Sequence, residues 1–156
     1  MSEVQQPAFS IEKVYVKDLS LEVPNAPQVF LQGDTPQLEV QLGHAAQGID
    51  GTLFEVSVTV TVTAKVGEKT LFLVEAVQAG IFQIRGIPEK ELPAVLGIVC
   101  PNVLFPYARE TISDTVNRAG FPPVLLAPVN FEAIYQQQQA GNGATGDDGP
   151  RIEIAH

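Results

Sequence analysis

The residue with the most reactive side chain is Cys100, the only cysteine in a chain of 156 residues. A nucleophilic thiol needs a histidine beside it, and the candidates are His44, at the end of a predicted strand, and His156, the last residue. Cys100 itself stands between the apolar run "PAVLGIV" and a proline. We therefore predict a buried, inert thiol, and an enzyme that uses Cys100 is the alternative.

Pairs of carboxylates are the other candidates for chemistry, as a general acid and a general base. Glu89 with Glu91 and Asp147 with Asp148 are close in the sequence, but nothing around them predicts the buried pocket that such catalysis requires. One cysteine and two histidines are too few for a zinc site. The chain also lacks a glycine-rich phosphate-binding motif. The sequence thus predicts no catalytic residue, no metal site and no bound nucleotide.

Composition limits the class of partner. The net charge is −9, and no two Lys or Arg residues are adjacent, so nucleic acid is not an expected partner. The N-terminus lacks the basic and apolar regions of a signal peptide, and the apolar run at 93–101 is too short to span a membrane. A single cysteine fits a reducing compartment. We expect a soluble, cytoplasmic protein without direct membrane insertion.

Four segments with strand-like patterns precede any helical pattern. Residues 52–66 alternate apolar and polar side chains, and residues 70–86 follow after a short turn, so these two runs predict an antiparallel hairpin. Residues 8–23 alternate in pieces whose parity slips, which indicates a long, bent strand with bulges or a switch of face. Residues 37–44 form another strand. The proline-rich link at 24–36 fits neither a helix nor a strand.

Helical patterns follow the strands. Residues 88–100 predict a short helix, and residues 103–119 predict the main helix, with Asn102 as its N-cap and Gly120 just past its end. Residues 130–139 can form a last short helix. Strands followed by helices are typical of an α+β fold, here a four-stranded antiparallel sheet followed by a short helix, a long helix and a short C-terminal helix.

Three acidic residues fall among apolar neighbours on the first and fourth predicted strands. Asp18, Glu22 and Glu75, with Leu73 near them, could form an acidic patch on a flat sheet face. Such a patch would suit a basic protein partner. Ordinary outward charges on a sheet are the alternative that the pattern leaves open.

The chain carries more apolar side chains than a four-stranded sheet needs for its core. The strand at 70–86 is apolar on both faces, and "VLFPYA" and "FPPVLLAPVNF" add further apolar surface. Burial between subunits accounts for this surplus. A groove that holds apolar segments of other chains, or a site for small apolar ligands, would account for it as well.

Several segments closely resemble the SecB family of bacterial export chaperones. They are "YVKDLSLEVPNAPQVF", "GIFQIRGI", "CPNVLFPYARE" and "FPPVLLAPVNFEAIY". The resemblance implies a cytoplasmic homotetramer, a dimer of dimers, that keeps unfolded precursor polypeptides export-competent and hands them to the SecA translocation ATPase. It implies neither an enzyme activity nor a cofactor. The family domain would cover residues 9–139, between a flexible N-terminus at 1–8 and a flexible acidic tail at 140–156.

The resemblance also implies two sets of site residues. The SecA-binding face of the family falls on Asp18, Glu22, Leu73 and Glu75. The substrate groove, between the link at 24–36 and the main helix with its following segment, falls on Phe30, Tyr107, Leu125, Leu126 and Phe131.

Overall fold

The computed structural model describes residues 6–141. Most of the predicted N-terminal segment and of the predicted acidic tail lies outside the described residues, as do His156 and the Asp147/Asp148 pair. The strands are β1 (Ala8–Glu22), β2 (Gln37–Asp50), β3 (Leu53–Val66) and β4 (Lys69–Arg85). The helices are α1 (Leu92–Ala94), α2 (Cys100–Arg118) and α3 (Phe131–Ala140), with a π-helical turn at Val95–Val99 and a 3-10 turn at Gln28–Leu31.

The four strands form one antiparallel sheet in the order β1-β4-β3-β2. The hairpin of β3 and β4 is confirmed, and it turns at Gly67, whose φ of +60° suits glycine. Because β1 pairs with β4, the chain must cross from one edge of the sheet to the other before β2 begins. The link that crosses contains the 3-10 turn, which the prediction of an irregular segment missed. That turn buries Val29 in the core.

Two bulges keep the apolar side chains of β1 on one face. The register against β4 shifts between Ile11 and Lys13 and again between Val16 and Asp18. The parity slips in the sequence are these two bulges, as predicted. With the bulges in place, six apolar side chains share the face that α2 covers on the neighbouring strands: Phe9, Ile11, Val14, Val16, Leu19 and Leu21.

The two predicted helices over 88–119 are one continuous helical run from Leu92 to Arg118, so the expected break at Cys100–Asn102 is absent. Asn102 is therefore not an N-cap, and Pro106 lies inside α2 rather than in a first turn. The run continues past Pro101 because it enters α2 through the wider π-helical turn, in which the Cys100 N–H already bonds to the Val95 carbonyl oxygen.

The short helix begins at Leu92 instead of residue 88, whereas the predicted end of the main helix and start of the last helix are confirmed. Gly120 follows α2 with a φ of +96°, and its N–H bonds to the Asn117 carbonyl oxygen, while the Phe121 N–H bonds to that of Val116. These two bonds make a Schellman motif. Helix α3 begins after Asn130, whose side-chain oxygen accepts a bond from the Ala133 N–H at 3.0 Å.

The core lies between α2 and the inner face of the sheet, which is formed by even-numbered residues of β3 and β4. Val58 and Val60 of β3 and Leu104 and Ile112 of α2 are fully buried there. We call the opposite side of the sheet the outer face. Within residues 6–141, no helix lies on it.

The helical run Leu92–Arg118 has 27 residues and is long and apolar enough to cross a membrane. The sequence predicted only a shorter apolar run, at 93–101. A core helix passes the same test, so this is weak evidence for a span. Leu104, Ile112 and Val116 of the run are fully buried in the domain.

Candidate functional site

Cys100 is fully buried, as predicted. Burial raises the pKa of the Cys100 thiol to about 12, which keeps it protonated at neutral pH and so unreactive. Burial lowers the pKa of His44, which lies on β2. Within residues 6–141, no group of three or more His, Cys, Asp or Glu residues could hold a metal ion.

The four residues expected to form the acidic face lie together on the outer face of β1 and β4. Glu22 is opposite Leu73, and Asp18 is opposite Val77. Glu75 lies between these two pairs, opposite Ser20. The bulge at Val16/Asp18 is essential to this arrangement, because without it Asp18 and Glu22 would point to the inner face.

The charges of this acidic face are not neutralised locally. Within residues 6–141 the ion pairs are Lys17–Glu55 and Arg118–Asp114, so Asp18, Glu22 and Glu75 have no cationic partner. Glu75 of β4 accepts a hydrogen bond from the hydroxyl of Thr61 on β3 at 2.9 Å, which orients the Glu75 carboxylate. The face therefore presents free negative charge around the half-buried Leu73.

Sequence reasoning did not single out Glu39, which continues this row on the far side of the sheet. The registers align Glu22, Leu73, Thr63 and Glu39 across all four strands. Glu39 is exposed on the same outer face. The alternation of Leu38, Val40 and Leu42 toward the core already indicated that Glu39 points outward, but only the strand order brings it into this row.

A second group on the outer face, also missed by sequence reasoning, is centred on Glu55. Its carboxylate accepts hydrogen bonds from the Tyr15 hydroxyl, from Lys17 Nζ at 2.7 Å and from Gln47 Nε2 at 3.1 Å. The bonds from Lys17 and Tyr15 hold the pKa of Glu55 below its usual range. Burial, then the bond to Glu55, raises the pKa of Tyr15 to about 12. This group ties β1, β2 and β3 together over Ala79 of β4, which is fully buried.

The crossing link packs on the end of α2 through aromatic rings. The ring centroids of Phe30 and Phe121 are 5.1 Å apart, and those of Phe72 and Phe121 are 4.9 Å apart. Phe30 lies against Gly120, where a Cβ atom would come within 3.0 Å of its ring. One side of Phe30 is therefore packed, but 48% of the residue is exposed.

The other predicted groove residues divide by exposure. Tyr107 is 51% exposed on α2, and Leu125 is 77% exposed in the segment before α3. Leu126 and Phe131 are buried in the core, where the Phe131 ring lies 6.0 Å from that of Phe105. The exposed side chains can contact another chain directly, whereas the buried ones can only support the surface from below.

Edge strand β1 carries a further apolar surface. Phe9, Ile11, Val16 and Leu19 are between 39% and 47% exposed, although they face the same side of the sheet as the core. Helix α2 lies mainly over β3 and β4, and these side chains of β1 stay partly exposed. A contiguous exposed apolar row on an edge strand is typical of an interface between protein chains.

An open cleft of about 810 Å³ lies near the turn between β2 and β3. Its lining includes Glu12, Lys13 and Asp50. A site for a small apolar ligand encloses most of that ligand, whereas this cleft is open to solvent, so it does not favour that alternative.

Comparison with known proteins identifies close relatives. The family model described as "Preprotein translocase subunit SecB" matches residues 2–142. A protein of Chromobacterium violaceum named "Protein-export protein SecB" is 65% identical over 149 residues, covering 94% of this chain and 99% of that protein. A protein of the same name from Nitrosospira multiformis is 58% identical over 156 residues, covering 99% and 98%.

A solved structure has the same fold. The SecB-like chaperone of Mycobacterium tuberculosis, in complex with a peptide from an antitoxin, superposes with a TM-score of 0.65. The match covers 78% of this chain and 90% of that one, at 19% sequence identity. At that identity the likeness shows the fold alone.

Proposed function

The chain belongs to the SecB family of preprotein-binding export chaperones, and we propose that it holds precursor polypeptides unfolded and delivers them to SecA from a cytoplasmic homotetramer. Delivery to SecA is supported by one observation: the register of β1 against β4 groups Asp18, Glu22, Leu73 and Glu75 on the outer face. Membership of a chaperone family, with Cys100 buried and protonated, supports a role without catalysis and without a cofactor.

The acidic face supports binding of a basic surface on SecA. Free carboxylates on a flat sheet attract cationic side chains from a distance, which raises the association rate and selects against acidic partners. Leu73 lies among them and supplies apolar contact once the surfaces meet. Glu39 would extend the contact across the sheet, because it stands in the same row as Glu22.

The exposed apolar side chains support binding of unfolded clients. Phe30, Tyr107 and Leu125 offer apolar area that binds any apolar segment without a fixed hydrogen-bonding pattern. A folded protein has few such segments on its surface, so selectivity for unfolded chains needs no ATP. Leu126 and Phe131 would stabilise this surface from the core side.

The exposed row on β1 supports assembly into a dimer of dimers. Its apolar side chains on an edge strand would be covered by a second copy of the chain. Several client surfaces in one tetramer would bind one long polypeptide at several points, so that weak contacts add up to a stable complex. We place the tetramer in the cytoplasm without membrane insertion.

The test combines three measurements on the purified protein. We expect light scattering to give a tetramer, denatured apolar client to refold more slowly in its presence, and SecA to bind it. Native mass spectrometry tests the alternative of a binding protein for small apolar ligands. A copurified lipid or metabolite at fixed stoichiometry would favour that alternative. A protein that neither slows refolding nor binds SecA would contradict the proposal.

A further inference from the structure

The bulge that places Asp18 on the outer face also places a lysine there. Lys17 is the extra residue between Val16 and Asp18 in the register of β1 against β4. Its side chain lies on the outer face, because it bonds to Glu55, which lies opposite Ile81 on that face. The bulge thus brings a positive charge beside the first carboxylate of the acidic face.

Glu55 holds this positive charge. The Lys17 ammonium lies 2.7 Å from Glu55 Oε1, across the sheet on β3, and forms no ion pair with Asp18, its neighbour in the chain. The Tyr15 hydroxyl and the Gln47 amide hold the same carboxylate. Glu55 is therefore fixed in place, and only 13% of its side chain is exposed.

We propose that Glu55 is a specificity-determining residue for the binding of SecA, because it retains the Lys17 ammonium and leaves Asp18, Glu22 and Glu75 uncompensated. This inference rests on the proposed function. Glu55 acts through Lys17 and is a positioning residue, which need not contact SecA itself.

Loss of the Glu55 carboxylate would free the Lys17 side chain to move. Asp18 follows Lys17 directly in the chain, and without the Glu55 carboxylate the flexible four-carbon side chain of Lys17 can turn toward it. The acidic face would then lose about one unit of negative charge at its Asp18 end. Basic groups of SecA would be attracted less, and most clearly at low salt, where screening is weakest.

The experiment compares three variants of the full chain: Glu55→Gln, Glu55→Gln with Lys17→Met, and Glu55→Gln with Lys13→Met. The Kd for purified SecA is measured at low and at high salt, with circular dichroism and light scattering as checks of fold and assembly. Lys13 is the matched control, because it is another exposed outer-face lysine of β1 and forms no ion pair among the described residues.

We expect Glu55→Gln to weaken SecA binding about threefold or more at low salt and less at high salt. Lys17→Met in that background should restore the wild-type Kd, whereas Lys13→Met should restore it only in small part. Rescue by removal of a lysine would not occur if Glu55 acted only by supporting the fold, since neither double variant regains its hydrogen bonds.

Three results would overturn the inference while leaving SecA delivery intact: an unchanged Kd in Glu55→Gln, equal rescue by both lysine substitutions, or no rescue by Lys17→Met. A wild-type protein that fails to bind SecA would instead contradict the proposed function, and this inference with it.

Discussion

Glu22 at the end of β1 lies directly opposite Leu73 of β4, so a carboxylate and an apolar side chain share the outer face of the sheet. The two residues are 51 positions apart in the chain and meet because β1 crosses over to pair with the fourth strand. A charged group that attracts and an apolar group that packs are thus adjacent. This combination suits a basic protein surface, since the charge raises the association rate and the apolar side chain adds contact area.

Reversing the charge at the centre of the acidic face should separate the two binding activities. We expect Glu75→Lys to weaken SecA binding roughly tenfold or more, because a cation would then stand between Asp18 and Glu22 and repel basic groups. Client capture should be unchanged, since the groove residues lie on other elements. Isothermal titration with SecA and a refolding assay measure the two activities.

Glu132→Lys is the matched control for that change, because it makes the same charge reversal at an exposed site on α3. It should leave SecA binding within about twofold of wild type. Loss of both activities in Glu75→Lys, together with loss of the tetramer, would point to misfolding and contradict the assignment of Glu75 to a binding face.

A highly exposed leucine before α3 tests the client surface. Leu125→Ser should weaken capture of a denatured client about threefold to tenfold, because a leucine that is 77% exposed has most of its apolar area available for a client. The melting temperature should hardly change. Ile49→Ser, at another exposed apolar residue near the end of β2, is the control and should capture the client normally. Equal effects of the two substitutions would contradict a localised groove.

Local patterns predicted the elements of the fold better than their arrangement. The alternation over 52–66 predicted β3, and the asparagine at 130 and the glycine at 120 marked real helix ends, because these signals come from contacts within a few residues. The predicted break between two helices at residues 101–102 was wrong, since a π-helical turn lets the helix continue past Pro101.

The candidate sites could not be fully predicted from the sequence, because they depend on which distant segments pair in the sheet. The sequence predicts an acidic patch of Asp18, Glu22 and Glu75, but the addition of Glu39 depends on the strand order. The bond from Tyr15 to Glu55 joins residues 40 positions apart and crosses an intervening strand. No local periodicity can indicate such a contact, because it follows from which strands pair and in which register.

The glycine that ends α2 should be sensitive to substitution. Gly120→Ala should destabilise the protein by about 1–3 kcal/mol, because its φ of +96° strains any other residue and the new Cβ would press on the Phe30 ring. Gly33→Ala, in the crossing link that contains Phe30, is the control, since a Cβ atom at Gly33 meets nothing within 4 Å. Urea unfolding monitored by circular dichroism gives both free energies, and equal values would contradict the strain at Gly120.

The hydroxyl of Tyr15 should make stability depend on pH in the alkaline range. Its pKa is raised in the folded protein from the ordinary value of 10.0 to about 12, first by burial and then by its bond to Glu55. A raised folded-state pKa means that this contribution is complete below pH 10 and is lost as the pH rises toward 12. Over that interval the free energy of unfolding of the wild type should therefore fall more steeply than that of Tyr15→Phe. Tyr107→Phe, which removes the hydroxyl of a half-exposed tyrosine on α2, is the control. Urea unfolding at several alkaline pH values measures the slopes, and parallel curves for wild type and Tyr15→Phe would show that Glu55 does not hold the Tyr15 proton.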